Sequence, residues 1–332
     1  MKALVYTAPN RVDYRDEPDP ALAAGEVVLR IDAVGICGSD MHAYHGHDPR
    51  RVPPLVLGHE LCGEIVAGPG AGRRVTVNPL ITCGHCEYCV QGRNNLCANR
   101  TMVGMTRPGG FAERMAIPVS SLIEIPPAMD AVTAALTEPA ATALHALNLV
   151  MRALARPLPE CRALVIGGGA VGLLAALLAR SYGVREVHLA ETNRLRRESA
   201  AAASGARVFD PLDHGTGGPA PGTIDFVVDA VGAAATRTAA FAAVKPGGVI
   251  MHIGLQDWAS EIDMRRLTLA EITLIGTYTY TTADLRAAVA ALDGGAFGEL
   301  AWVESRPLAD GGAAFADLHA GRTPAAKIVL RP

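Results

Sequence analysis

The densest group of potentially reactive side chains is a run of four cysteines with the spacing Cys83-x2-Cys86-x2-Cys89-x7-Cys97. Four thiolates this close in sequence can wrap one tetrahedral metal ion, and zinc is commonly held in this way. A closed four-cysteine sphere leaves no coordination position for a substrate, so we expect this site to be structural. An iron–sulfur cluster is the alternative occupant, because it uses similar ligands.

A second, looser group lies in the segments GICGSDMHAYHG and LGHELCGE, which contain Cys37, Ser39, His42, His59 and Glu60. Thiolate, imidazole and carboxylate are the ligand types of catalytic zinc sites, which keep one position open for substrate. Either segment alone is a weak signal, because buried cysteines and hydrogen-bonded core histidines are common. The residue types therefore suggest a catalytic metal site that needs support from the rest of the chain.

A glycine-rich turn, Gly167-x-Gly169-x-x-Gly172, follows a strand-like run and precedes a helix-like one. The first glycine permits a tight turn, the second lets the backbone approach a pyrophosphate, and the third lets helix and strand pack closely. The helix N-terminus would offer free N–H groups to the phosphates. We predict a dinucleotide site that includes Ala170 and Val171; a purely structural turn is the alternative.

The choice of dinucleotide depends on the next strand-like run, which ends at Glu191. A carboxylate about twenty residues after the glycines can accept hydrogen bonds from the ribose hydroxyls of NAD, and it would repel the 2′-phosphate of NADP. Arg194, Arg196 and Arg197 lie within reach of such a phosphate, although they can equally be solvated residues of a first helical turn. We assign Glu191 and Arg196 to the cofactor site and favour NAD, with NADP as the alternative.

Two parts of the chain with different secondary-structure patterns would position these groups. Residues 1–135 contain short β-like runs broken by glycine and proline, as in Greek-key or barrel domains. Residues 136–272 then alternate between strand and helix patterns, which predicts a parallel sheet covered by helices; an exposed loop is predicted at 213–222. We predict an α/β protein with a catalytic β domain formed by 1–135 and 273–332, including a metal-binding lobe at 83–97, and a dinucleotide-binding domain formed by 136–272.

Composition excludes several function classes. Half of the 332 residues are apolar and 19% are charged, the net charge is −3, and the basic residues are scattered, so we expect no nucleic-acid partner. No uninterrupted apolar stretch approaches the ~20 residues needed to cross a bilayer. The N-terminal segment MKALVYTAP lacks the features of a signal peptide. We therefore expect a cytoplasmic protein, in which clustered thiols stay reduced and bind metal.

These motifs occur together in one characteristic order. The chain resembles the zinc-containing medium-chain dehydrogenases, which include alcohol, sorbitol/polyol and threonine dehydrogenases, over nearly its whole length. The matching elements are Gly35-Ile-Cys37-Gly-Ser39-Asp40-x-His42, Gly58-His59-Glu60, the four-cysteine run, Glu138-Pro139 and the turn from Gly167 to Gly172.

The resemblance implies a GroES-like catalytic domain beside a doubly wound Rossmann domain, and two zinc ions per chain. Cys37 and His59 would hold the catalytic zinc, with Glu138 favoured over Glu60 as the third ligand. Ser39 and His42 resemble the family's proton relay. The implied activity is reversible oxidation of a secondary alcohol, diol or polyol by hydride transfer to NAD(P), in a homodimer or homotetramer.

Further resemblances refine this expectation. Asp40 is similar to the residue that fixes the ligating histidine by accepting its N–H. In the stretch Gly276–Thr282, Thr279 stands where sorbitol dehydrogenases tend to carry arginine, so a smaller diol or a less polar secondary alcohol is favoured over a hexitol. Two competing functions remain: a zinc-free NADPH-dependent quinone or enone reductase of the same superfamily, and a non-catalytic dinucleotide-binding regulator.

Overall fold

The computed structural model describes residues 1–213 and 217–332, so the loop predicted at 213–222 lies partly outside the described residues.

The N-terminal domain is built around β3, whose ten residues EVVLRIDAVG supply β-branched and leucine side chains to a buried core. Strand β3 pairs antiparallel with β5 and β9. The strands of this domain are β1 Lys2–Ala8, β2 Arg11–Asp16, β3 Glu26–Gly35, β4 Leu55–Val56, β5 Glu60–Ala67, β6 Arg74–Val77, β7 Leu80–Ile81, β8 Thr101–Met102, β9 Arg114–Pro118 and β10 Leu122–Glu124.

The N-terminal domain also contains two short helices, and the C-terminal strands of the chain pair with its sheet. Helix α1 (Gly38–Tyr44) follows β3, and helix α2 (Glu87–Val90) lies in the four-cysteine segment. Strand β17 (Val303–Pro307) pairs with β18 (Lys327–Arg331), and β18 pairs with the end of β3. The chain's last strand therefore closes the β domain next to the segment that carries Cys37.

The second domain is a sheet of parallel strands. Its order among the described residues is β13-β12-β11-β14-β15-β16, and the order reverses between β11 and β14, where dinucleotides bind in such folds. Its elements are β11 Arg162–Ile166, α5 Ala170–Ser181, β12 Glu186–Ala190, α6 Arg194–Ser204, β13 Arg207–Phe209, β14 Ile224–Asp229, α7 Ala234–Ala243, β15 Val244–His252, α8 Met264–Leu269 and β16 Thr273–Gly276.

The domain boundary predicted between residues 272 and 273 needs correction. Strand β16 pairs in parallel with β15, from Val249↔Thr273 to His252↔Gly276, so it is an edge strand of the parallel sheet. Its side chains are mostly exposed, in keeping with its place at the sheet edge, and the short run TLIG alone does not indicate which sheet it joins. The return to the β domain begins after this strand.

Helices bridge the two domains. They are α3 Ala131–Ala135, α4 Thr137–Ala153, α9 Thr282–Asp293 and α10 Gly311–His319. Helix α4 packs against α5 and α9, and one continuous hydrophobic core joins these helices to the parallel sheet. This packing holds Glu138, in the first turn of α4, between the two domains.

Asp284 links two of these helices, and it supports a test of the fold. It accepts hydrogen bonds from His145 (2.7 Å) and Asn148 (2.9 Å) of α4, and it completes the N-terminal cap of α9 with Thr281. Burial alone would raise the pKa of Asp284, but the bonds from His145 and Thr281 outweigh burial and lower it.

Replacing Asp284 by alanine should lower the free energy of unfolding by about 2–3 kcal/mol at neutral pH, because the cap and the bonds to α4 are lost together. The depressed pKa means that this stabilisation is present above the pKa of an unfolded aspartate, ~4, and fades as the pH falls below it. Denaturant unfolding of the wild type and the variant, at neutral pH and at a pH below ~4, measures the difference in the free energy of unfolding. Asp293→Ala, at the exposed end of the same helix, is the control and should change little; equal losses in the two variants would contradict this account.

Candidate active site

Cys37, His59 and Glu60 converge where β3 ends and β5 begins. The register pairs Gly35 with Glu60, which brings the segment after β3 beside the GHE sequence. One possible ligand atom from each of the three residues lies within 4.8 Å of the others. His59 and Glu60 are 2% and 1% exposed. Sulfur, imidazole nitrogen and carboxylate oxygen together form a donor set that suits zinc.

Asp40 orients this group. Its Oδ2 accepts the backbone N–H of Cys37 at 3.0 Å, while its Oδ1 lies 3.5 Å from Nδ1 of His59. Those two facing atoms have no other hydrogen-bond partner among the described residues. The contact leaves Nε2 as the ring nitrogen of His59 available to a metal, in agreement with the role that sequence resemblance implied for Asp40.

Lys327 is a member of the site that the sequence analysis missed. Its Nζ donates to both carboxylate oxygens of Glu60, at 2.8 and 2.6 Å, and to the carbonyl of Ile36 at 2.8 Å. Burial alone would lower the pKa of Lys327, but the charges of Glu60 and Cys37 outweigh it and raise that pKa. The only sequence signal was a cation inside the apolar closing run KIVLRP.

Glu138 lies beside this group but outside the set within 4.8 Å, which contains Glu60 instead. Tyr280, fully buried, donates its hydroxyl to Oε1 of Glu138 at 2.8 Å. Burial raises the pKa of Glu138 to about 7, and the charge of Glu60 adds to the effect while His59 opposes it. In the structure, Glu60 is therefore the carboxylate grouped with Cys37 and His59, whereas the sequence analysis favoured Glu138 as the third ligand.

Ser39 and His42 lie three residues apart on α1 and so share one face of it. Both side chains are half-buried. Burial lowers the pKa of His42, and the neighbouring charges of His47 and Arg51 lower it further. A neutral imidazole at neutral pH can accept a proton, which is the property that the outer end of a relay requires.

The four clustered cysteines face one another in a small lobe. The sulfur of Cys83 lies 3.9 Å from that of Cys89 and 3.6 Å from that of Cys97. A tetrahedral ion with Zn–S bonds of about 2.3 Å would separate its sulfurs by about 3.8 Å, whereas a disulfide requires about 2.05 Å. Backbone N–H groups of His85 and Cys86 lower the pKa of Cys83 to about 6. The spacing therefore fits a metal ion.

The lobe is attached to the segment that carries Tyr280. Asn95 donates to the carbonyl of Tyr278 at 2.9 Å, and the backbone N–H of Thr282 donates to Asn94 at 3.1 Å. The guanidinium of Arg100 lies 4.6 Å from the ring centroid of Tyr278. The lobe thus contacts the chain on both sides of Tyr280, the hydrogen-bond partner of Glu138.

The glycine-rich turn has the shape that its sequence predicted. Gly167 adopts a φ of +100°, and a Cβ at Gly172 would lie only 1.9 Å from the carbonyl oxygen of Gly167. Gly169 caps α5 and faces open space, so a pyrophosphate can approach the helix N-terminus that Ala170 and Val171 begin.

Glu191 lies against this turn. Its carboxylate accepts the N–H groups of Gly168 (2.9 Å) and Asn193 (2.7 Å), and Arg196 reaches it at 3.2 Å. Arg194 pairs with Glu198, whereas Arg197 pairs with Asp210 and donates to the backbone carbonyl of Glu191 at 3.0 Å. Of the three arginines, Arg196 is the one that contacts the predicted ribose-binding carboxylate.

Comparison with known proteins identifies the family. Residues 23–127 match the alcohol dehydrogenase GroES-like domain, and residues 170–294 match the zinc-binding dehydrogenase family. L-galactonate-5-dehydrogenase of Escherichia coli strain K12 is 32% identical over 86% of this chain and 85% of its own length. The chain belongs to the zinc-containing medium-chain dehydrogenases.

Two further relatives of this dehydrogenase agree with that placement. L-threonine 3-dehydrogenase of Pectobacterium atrosepticum is 31% identical, over 84% of this chain and 80% of the relative. The structure of acetophenone reductase from Geotrichum candidum, solved with NAD, superposes with a TM-score of 0.87 at 30% identity, covering 100% of this chain and 97% of that one.

The comparisons confirm the predicted family, the GroES-like and Rossmann architecture, and a dehydrogenase that uses zinc and a nicotinamide cofactor. The residue roles within this dehydrogenase, the number of zinc ions and the assembly remain predictions. None of the described helices is long and apolar enough to cross a membrane.

Proposed function

We propose that the chain catalyses the reversible NAD(P)-linked oxidation of a secondary alcohol, diol or polyol to the ketone. The observation that carries this proposal is the convergence of Cys37, His59 and Glu60 within 4.8 Å beside the helix that bears Ser39 and His42. The names of the relatives, a galactonate and a threonine dehydrogenase, support substrates with a secondary hydroxyl among other polar groups.

We further propose two zinc ions per chain. One is structural and is held by Cys83, Cys86, Cys89 and Cys97, whose sulfur separations support it. The other is catalytic and is held by Cys37, His59 and a carboxylate.

We favour Glu138 over Glu60 as the third ligand of the catalytic zinc, because Glu60 already pairs with a cation and Glu138 pairs with none among the described residues. Both oxygens of Glu60 bind the buried cation Lys327, so Glu60 has its counter-charge. Glu138 is 6% exposed, and its side chain is hydrogen-bonded to the neutral hydroxyl of Tyr280. A metal cation would supply the counter-charge that burial of Glu138 demands. Glu60, released from Lys327, is the alternative third ligand.

The mechanism assigns each residue a separate task. Zinc held by Cys37, His59 and a carboxylate would supply a Lewis acid, and a nicotinamide bound at the turn from Gly167 to Gly172 would supply the hydride acceptor. Ser39 accepts the hydroxyl proton of the substrate and releases its own proton outward, toward His42. Asp40 holds the ring of His59 in place, and the flanking β strands exclude water from the buried side of the group.

The function is tested by assaying the zinc-replete protein with NAD and NADP against a panel of secondary alcohols, diols and polyols. We expect reduced nicotinamide to form with at least one secondary alcohol class, and a smaller diol to surpass sorbitol because Thr279 replaces an arginine. Reduction of quinones or enones by NADPH, with no alcohol oxidation, would favour the zinc-free reductase. Cofactor binding without any turnover would favour the regulator.

Cofactor choice supports a second prediction. Replacing Glu191 by alanine should lower kcat/KM for NAD about 10- to 100-fold and raise it for NADP, because the carboxylate that binds ribose and repels the 2′-phosphate is removed while Arg196 remains. Steady-state kinetics with both cofactors measure the change. Glu198→Ala, on the exposed face of α6, is the control and should leave the preference intact; an unchanged preference in Glu191→Ala would overturn the assignment.

The assembly and the location stay predictions. A homodimer or homotetramer, a cytoplasmic address and the absence of a nucleic-acid partner were expected from sequence, and light scattering of the purified protein measures the first of them.

A further inference from the structure

Arg51 is a buried cation that the proposed mechanism does not yet use. It lies in the connection between α1 and β4 and is only 3% exposed, whereas the adjacent Arg50 is exposed. A guanidinium stays charged in proteins, so burying one is unfavourable unless every donor finds an acceptor. The acceptors of Arg51 therefore indicate what it does.

Two of those acceptors belong to one residue, Ser39. Nη2 of Arg51 donates to the Ser39 hydroxyl oxygen at 3.1 Å, and Nη1 donates to the Ser39 carbonyl at 3.0 Å. Nη1 also pairs with Asp48 at 2.8 Å, and Nε donates to the carbonyl of Gly104 at 3.0 Å. The Arg51 guanidinium is thus fixed by Asp48 and Gly104, and it binds both the carbonyl and the hydroxyl of Ser39.

This contact restricts what the Ser39 hydroxyl can do. A hydroxyl has one hydrogen and two lone pairs, and a guanidinium has donors only. Arg51 occupies one lone pair, and the Ser39 hydrogen cannot point toward Arg51. The remaining lone pair and the hydrogen are left for a proton acceptor and donor on the open side. That is the arrangement a relay needs, since Oγ must accept one proton while it releases another.

We propose that Arg51 is a positioning residue for proton transfer, which acts by holding the Ser39 hydroxyl in its relay orientation; this rests on the proposed role of Ser39. No bond to Arg51 forms or breaks. The substrate proton moves to Ser39 Oγ, the Ser39 proton leaves toward His42, and Arg51 keeps its own protons throughout.

A purely structural role is the competing explanation, because Arg51 also ties the 48–51 loop to Gly104. The two explanations differ in their dependence on Ser39. If Arg51 works through the hydroxyl, its removal matters only while the hydroxyl is present, and the two replacements are not additive. If Arg51 only braces the loop, its removal lowers stability and zinc content and acts equally in either background.

The test compares wild type, Arg51→Met, Ser39→Ala and the double variant in the zinc-replete protein. Arg51→Met should lower kcat about 10- to 100-fold, raise the solvent isotope effect on kcat, and leave zinc content and Tm close to wild type. In the Ser39→Ala background the same replacement should change kcat less than about threefold. Arg51→Lys, which keeps the charge but loses the fork, should recover only part of the rate.

Arg50→Met is the matched control, because Arg50 contacts the same Asp48 but not Ser39; it should leave kcat unchanged. Wild-type kcat in Arg51→Met, or equal rate losses in both backgrounds together with lost zinc, would overturn the proposal. If Arg51→Met does not fold, the same comparison is made with Arg51→Lys. Full activity in Ser39→Ala would instead refute the proposed role of Ser39, so the two failures are distinguishable.

Discussion

Cys37→Ser should lower kcat about a thousandfold and remove one of the two zinc ions, because a serine hydroxyl is a much poorer zinc ligand than a thiolate. Loss of a Lewis acid at the reacting oxygen forfeits several kcal/mol of transition-state stabilisation. Cys37 is half-buried at the start of α1, outside the main cores, so the fold should persist. Zinc content by elemental analysis and kcat measured on the same preparation check this expectation.

Cys62→Ser is the matched control for that experiment. Cys62 is also a free thiol and lies two residues after Glu60, but its sulfur donates to the carbonyl of Ala131 at 3.1 Å and lies outside the metal-type clusters. Burial raises its pKa to about 12, so it stays a neutral thiol. This variant should keep both zinc ions and most of its activity. Cys37→Ser with two zinc ions and the wild-type rate would contradict the ligand assignment.

Cys97→Ser should have the largest effect on stability. Cys97 is fully buried in the lobe, and a structural four-cysteine zinc supplies folding free energy to the segment that binds it. We expect loss of one zinc ion, a Tm lower by on the order of 10 °C, and a reduced kcat. The rate should fall because Asn94 and Asn95 of the lobe hold the segment that places Tyr280 against Glu138.

Asn95→Ala separates the two consequences of losing the lobe. It removes the bond to the Tyr278 carbonyl but leaves all four cysteines in place. We expect both zinc ions to remain, Tm to fall by a few degrees at most, and kcat to fall measurably. If Cys97→Ser retained its second zinc ion, the closed four-cysteine site would be disproved. If it lost zinc with no change in kcat, the link from the lobe to Tyr280 would be wrong.

Local sequence patterns predicted much of this architecture. The β-branched run of β3 marks a largely buried strand, and the turn before α5 requires glycine because a Cβ at Gly172 would lie 1.9 Å from the carbonyl oxygen of Gly167. Cys37 and His59 could be paired because each lies in a short motif, and the resemblance to a family joined the two motifs. The fold and the two clusters of candidate metal ligands are therefore predictable from the amino-acid sequence.

The features that escaped prediction depend on contacts between distant parts of the chain. Lys327 meets Glu60 across 267 residues, through the pairing of β18 with β3. The contact of Arg51 with Ser39 was missed because RRVPP has the pattern of an exposed basic loop, and only the folded chain distinguishes the buried arginine from its exposed neighbour. The distances of Glu60 and Glu138 from Cys37 and His59 depend likewise on packing between α4 and the β domain.

The central claim, that zinc at Cys37 and His59 enables dehydrogenation of a secondary alcohol, is tested most directly by restoring zinc to stripped protein. Zinc is removed with a chelator and returned in steps, while bound zinc and the rate of NAD(P)H formation with the best alcohol of the panel are recorded. We predict no turnover in the stripped protein, and activity that rises with occupancy to a plateau at two ions per wild-type chain. Under the same titration Cys37→Ser should bind one ion and stay inactive. Full turnover of the stripped protein would contradict the account.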